Sequence, residues 1–148
     1  MKSKYTALLV STKNEPFETV KIVLEGLSVA PIQARNRPEV ASGLRRIPPP
    51  HLVVTVPEFV DGHWWDVLEL AAQSSEKVNV IVVSPVVNVE FYMEVMSRGG
   101  FDFMTDGFTV PELVHVLRGA LEDATRSRQA PKRGDSAIQD EPTGQLAL

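Results

Sequence analysis

Residues 78–104 read VNVIVVSPVVNVEFYMEVMSRGGFDFM, and this stretch decides the fold. Val78 to Ser84 is an apolar run of strand length. Asn88 to Arg98 carries apolar residues at helical spacing, Gly99-Gly100 is a turn, and Phe101 to Met104 is strand-like again. Strand, helix and strand in succession make a βαβ unit, with parallel strands and a right-handed crossover.

The same phrasing runs back to the N-terminus. Tyr5 to Val10 is of strand type, and Asn14 caps a helix that has Pro16 in its first turn. Phe17, Val20, Val23, Leu24 and Leu27 form the apolar face of that helix. Val29 to Ala34 is a weaker strand, which Pro31 assigns to an edge. Pro38 opens a helix whose expected buried face is Val40, Ala41, Leu44 and Ile47, stopped by Pro48-Pro49-Pro50. Leu52 to Val56 is a continuous apolar strand, as in a sheet covered on both faces. A helix over His63–Gln73 follows it. Beyond Met104, Thr109 and Glu112 make the capping box of a last helix over Val110–Ala124. Five strand-helix units mean an α/β domain with a parallel sheet. Its ligands belong at the carboxyl ends of the strands, where Ser11, Thr12, Arg35, Val56, Pro57, Ser84, Pro85, Thr105 and Asp106 stand.

Composition narrows the function classes. Of 148 residues, 43% are hydrophobic and 23% charged, ordinary globular usage. The absence of cysteine excludes disulfides, thiolate metal sites and cysteine nucleophiles. A formal net charge of −4 gives no broad attraction to nucleic acid or anionic lipid. Val78 to Val87, the longest apolar stretch, is interrupted and far shorter than the ~20 residues of a membrane helix. Lys2 and Lys4 precede an apolar run too short for a secretion signal. A cytoplasmic location is expected. The domain is expected to span 1–124. Residues 125–148 hold no aromatic and no periodicity, with Pro131, Gly134, Pro142 and Gly144 as breakers, and are expected to be a disordered tail.

The segments Pro50-His51-Leu52-Val53-Val54, Val80-Ile81-Val82-Val83-Ser84 and Gly99 to Phe108, continuing into Thr109-Val110-Pro111-Glu112-Leu113, carry a family resemblance. From about Lys4 to Ala124 the chain resembles the receiver domain of two-component response regulators. The resemblance implies a flavodoxin-like, doubly wound (βα)5 fold with a five-stranded parallel sheet in the order 2-1-3-4-5. Receivers transfer a phosphoryl group to their own aspartate with the help of Mg²⁺. Two acids after the first strand and the aspartate ending the third hold the metal through oxygen. A lysine after the fifth strand neutralises the phosphoryl charge, and a hydroxyl ending the fourth couples to an aromatic on the fifth.

The chain departs from most of that pattern. Ser11 and Thr12 stand in place of the acid pair, Val56 in place of the acceptor aspartate, and Asp106 in place of the lysine. Gly107 replaces the proline expected next. Only the hydroxyl, Ser84, and the switch aromatic, Phe103, are kept. The expectation is a degenerate pseudo-receiver: no enzyme, no cofactor and no metal, but a phosphorylation-independent regulatory interaction module in signal transduction. With no output domain in the sequence, it is expected to act in trans. The alternative is an atypical regulator whose pocket of Ser11, Thr12, Ser84 and Asp106 binds a small ligand in place of aspartyl phosphate.

Other features have plainer readings. His51, His63 and His115 are scattered, so Ser84 has no evident base and zinc no ligand set. Trp65 shares helical spacing with Leu68 and Ala72 and is expected in the core, leaving Trp64 partly exposed. Arg35, Arg37, Arg45 and Arg46 read as a solvated face, and no nucleic-acid-binding or phosphate-loop motif accompanies them. On the helix over Asn88–Arg98 the apolar residues cover an arc of ~200°, more than a sheet-packed helix needs. Phe91, Tyr92 and Val95, with Val116 on the last helix, are therefore expected to form a surface for a homodimer or a partner protein.

Overall fold

The computed structural model describes residues 4–12, 17–86 and 88–130. The elements are β1 (Tyr5–Val10), α1 (Phe17–Gly26), β2 (Val29–Ala34), α2 (Arg37–Leu44), β3 (Leu52–Thr55), β4 (Glu58–Phe59), β5 (Gly62–His63), α3 (Trp64–Ala72), β6 (Asn79–Ser84), α4 (Val89–Ser97), β7 (Asp102–Thr105) and α5 (Val110–Gln129). Five strands form one parallel sheet in the order β2-β1-β3-β6-β7, which is the doubly wound order expected. The edge position of β2 suits Pro31, which has no N–H to give to a ladder. Asn14, Pro16 and the segment 131–148 lie outside the described residues.

Successive strand residues point to opposite faces, so each strand feeds two cores. Ala7, Leu9, Val54, Ile81 and Val83 meet Phe17, Val20 and Leu24 of α1 and Leu113 and Leu117 of α5. Leu8, Val10, Val53, Val80 and Val82 meet Val40 of α2, Trp64 and Val67 of α3, and Val95 of α4. Gly99 ends α4 at φ +99°, a conformation other side chains rarely tolerate.

Several expectations are corrected. Helix α2 stops at Leu44, and Ile47, beyond it, is 95% exposed rather than buried. The two tryptophans exchange roles: Trp64 is buried and Trp65 exposed. Trp64, Val67, Leu68 and Ala71 recur at i, i+3, i+4 and i+7, a fuller apolar stripe than Trp65, Leu68 and Ala72. The short antiparallel pair β4–β5 was not expected at all.

The last helix outruns its expected end at Ala124 by five residues, to Gln129, so residues 125–129 belong to the body. Tertiary contacts explain the extension. Arg128 donates from Nη1 to Pro49 O (3.0 Å), from Nη2 to Pro50 O (2.6 Å) and Lys77 O (3.0 Å), and from Nε to Lys77 O (3.1 Å). Asn79 donates to Ala120 O at 2.8 Å and to Asp123 at 3.0 Å, and Lys77 meets Asp123 at 2.9 Å. Together these groups tie the helix to the strand starts.

His51 lies at the same end, edge-on to Tyr5 at 5.1 Å. Burial, with the Arg128 charge adding, lowers its pKa from 6.5 to about 4. Between those values the unfolded chain binds more protons than the folded one, so stability falls as pH drops through that window. His51→Gln is expected to flatten the fall of thermal midpoint between pH 6.5 and pH 4. Parallel slopes for both proteins would place the acid sensitivity elsewhere.

Candidate functional site

The carboxyl ends of β1, β3, β6 and β7 surround an open cleft of ≈ 900 Å³. Ser11, Thr12, Val56, Ser84 and Asp106, far apart in sequence, all line it. Ser11 is buried, its N–H donating to Ala34 O at 3.2 Å, while Thr12 is exposed. Val56 continues the ladder by donating to Val10 O at 3.1 Å, which brings its isopropyl group to the cleft. Buried Ser84 accepts from Val86 N–H at 3.1 Å. The Asp106 N–H donates to Ser84 O at 2.9 Å, holding its exposed carboxylate beside the end of β6.

Phe103 stands opposite Val82, and Ser84 opposite Thr105. The Phe103 ring packs edge-on against Phe91 at 4.9 Å and Tyr92 at 6.2 Å. Phe91, in turn, lines the cleft. Ser84 and Phe103 are thus carried by neighbouring strands, with Phe103 turned into the aromatic cluster.

Sequence reasoning missed one wall. Glu58 lines the cleft because the β4–β5 hairpin is pinned over the end of β3. Phe59 is its buried anchor. A Cβ on Gly62 would stand 2.6 Å from the Phe59 ring and 2.9 Å from Arg37 Cγ, so any larger residue there would have to displace these side chains. Arg37 N–H donates to Asp61 at 2.8 Å and Trp64 N–H to Pro57 O at 2.9 Å. His63 stacks on Trp65 at 4.2 Å, with Nε2 3.7 Å from Glu58. The Asp61-Gly62 pair, a turn former after an apolar strand, was the available signal.

Chemically, the cleft holds hydroxyls, two carboxylates and apolar walls. Among the described residues no basic side chain lines it, and no three His, Asp or Glu are grouped to hold a metal ion.

The expected interaction surface is rotated on α4. Val95 is fully buried in the second core, and Phe91 is half-buried between Trp64 (5.6 Å) and Phe103. Val116 is half-buried against the first core. Tyr92 is exposed as expected, together with Val89 (76%) and Met93 (61%). An arc of ~200° leaves open which part faces the sheet, and the aromatic contacts of Phe91 decide it.

Neither a family model nor a curated protein matches this chain. Solved structures do. The non-phosphorylated HemR receiver domain of Leptospira biflexa superposes with a TM-score of 0.69 at 22% identity, over 87% of this chain and 99% of that one. The solution structure of the beryllofluoride-activated NtrC4 receiver domain dimer gives 0.72 at 18% identity, over 80% and 98%. The fold is the receiver fold. A response regulator from Thermotoga maritima repeats the match at 0.68 and 20% identity, over 82% of this chain and 99% of its own. Among the described residues, no helix of this receiver fold is long and apolar enough to cross a membrane.

Proposed function

We propose that this chain is a pseudo-receiver, a regulatory interaction module of signal transduction that works without phosphotransfer. The observation that carries the reading is the content of the cleft: Val56 lies where the resemblance puts the acceptor, and Asp106 where it puts the lysine. A valine has no oxygen to phosphorylate. The hydroxyls of Ser11 and Thr12 are poor substitutes for carboxylates as Mg²⁺ ligands. The Asp106 carboxylate opposes a phosphoryl group where charge stabilisation is needed. Incubation with a small phosphodonor and Mg²⁺ is expected to leave the intact mass unchanged, and an aspartyl phosphate on this chain would overturn the reading.

The working surface in this reading is the outer face of α4 beside the β7 edge. Val89, Tyr92 and Met93 are spaced i, i+3 and i+4, so they form one exposed apolar stripe, and Val110 at the start of α5 is 52% exposed. A contiguous exposed stripe of this kind supports a protein contact, with a second copy or a separate partner. The NtrC4 neighbour is a dimer by its own description, which supports the first of these.

A further inference from the structure

We infer that the cleft at the carboxyl end of the sheet is a site for an organic cation, an ammonium or guanidinium group carried on an apolar stem. The inference rests on the reading that this cleft takes no phosphoryl group. The walls supply the first half of the argument. Val56 and Phe91 are half-buried and Val86 is 57% exposed, so apolar surface is open to an occupant within the ≈ 900 Å³. A cleft of this size, apolar with a few polar groups, suits a small molecule or a single long side chain.

The sign of the charge comes from the two carboxylates, Glu58 and Asp106, which lie on either side of the end of β6. Helix N-termini also point to this end of the sheet and carry positive partial charge. At α3, α4 and α5 that charge is met by the chain itself. Asp66 accepts from His63 N–H at the start of α3, Asn88 accepts from Phe91 N–H with Glu90 in the first turn of α4, and Glu112 accepts from Thr109 N–H at α5. Among the described residues lining the cleft, Glu58 and Asp106 are the charged side chains, and their potential repels phosphate and attracts a cation. A hard divalent ion keeps much of its water shell and gains nothing from the apolar walls of Val56, Val86 and Phe91. An organic cation needs only one or two carboxylates and gains from the apolar walls.

The test is a backbone-amide NMR titration of the full chain with phenethylammonium, and with phenylacetate and inorganic phosphate as anions. Saturable shifts at Val56, Glu58, Val86 and Asp106 are expected with phenethylammonium alone. Glu58→Gln and Asp106→Asn are each expected to weaken binding about three-fold, and together about ten-fold, as for exposed ion pairs. Both side chains are exposed, so the variants should keep the wild-type melting temperature. N-acetyl-arginine amide, titrated in parallel, distinguishes a basic side chain of a partner from a free amine by which binds more tightly. Absence of saturation, equal binding of phenylacetate, or undiminished affinity in the double variant would overturn the inference. An unchanged mass with phosphodonor alongside such a result would sink this proposal alone, whereas an aspartyl phosphate would sink the pseudo-receiver reading beneath it.

Discussion

Val95→Glu is expected to prevent folding at room temperature, while Tyr92→Glu with Met93→Glu leaves a folded protein. Val95 is fully enclosed among the residues of the second core, so a carboxylate there would lose its hydration with no partner. The effective penalty for such burial is several kcal/mol, against a typical total stability of about 5–15 kcal/mol. Gly100 packs against the same side chain so closely that a Cβ on it would stand 2.6 Å from Val95 Cγ1, which leaves no room for relaxation. Tyr92 and Met93 are 41% and 61% exposed, so charge there stays hydrated. If α4 uses its outer stripe to assemble, the double variant also shifts to a smaller species in light scattering or loses its partner. Far-UV dichroism and thermal melts check the first half. A folded Val95→Glu variant would mean that α4 is rotated relative to the sheet.

Ending the chain after Ala124 is expected to destabilise it by roughly 2–3 kcal/mol, the scale of losing a set of charge-assisted hydrogen bonds. For a body of this size that is a fall in melting temperature of about 10 °C. Arg128 is the cause, since its guanidinium satisfies the carbonyls of Pro49, Pro50 and Lys77 on the two loops that lead into β3 and β6. Burial pushes the Arg128 pKa down from its usual value, yet the group stays a donor to all three carbonyls. Arg128→Ala in the full chain should reproduce most of the loss. Ending the chain after Ala130, which keeps the helix, is expected to change the midpoint little. Equal midpoints for the two truncations would show that the last turn of α5 contributes nothing.

The legible parts of the molecule were those written in local pattern. The apolar runs of Leu52–Val56 and Val78–Ser84 named the central strands, and Pro31 named the edge. The Thr109–Glu112 box is formed as its spacing implied, with donor–acceptor distances of 2.8 and 3.2 Å. The five cleft residues were legible because they end strands, and strand ends of a parallel sheet converge by topology. Glu58 was not, because its place depends on a hairpin held by Phe59 and by the Arg37–Asp61 contact, which joins residues 24 apart.

The sequence by itself determined the parallel α/β class through its alternation, the strand order only through the family resemblance, and the chemistry of the cleft through the residue types at four strand ends. Val56 is a valine whatever the packing. Only the tertiary structure decided how each helix is turned about its axis and where the last one stops. An apolar arc wider than the sheet can cover has several rotations of similar hydrophobic gain. The choice among them falls to contacts made across the fold, such as Phe91 between Trp64 and Phe103, or Arg128 on three carbonyls 51 to 79 residues away. Such contacts leave no local period in the sequence, because the residues that make them are neighbours only after the chain has folded.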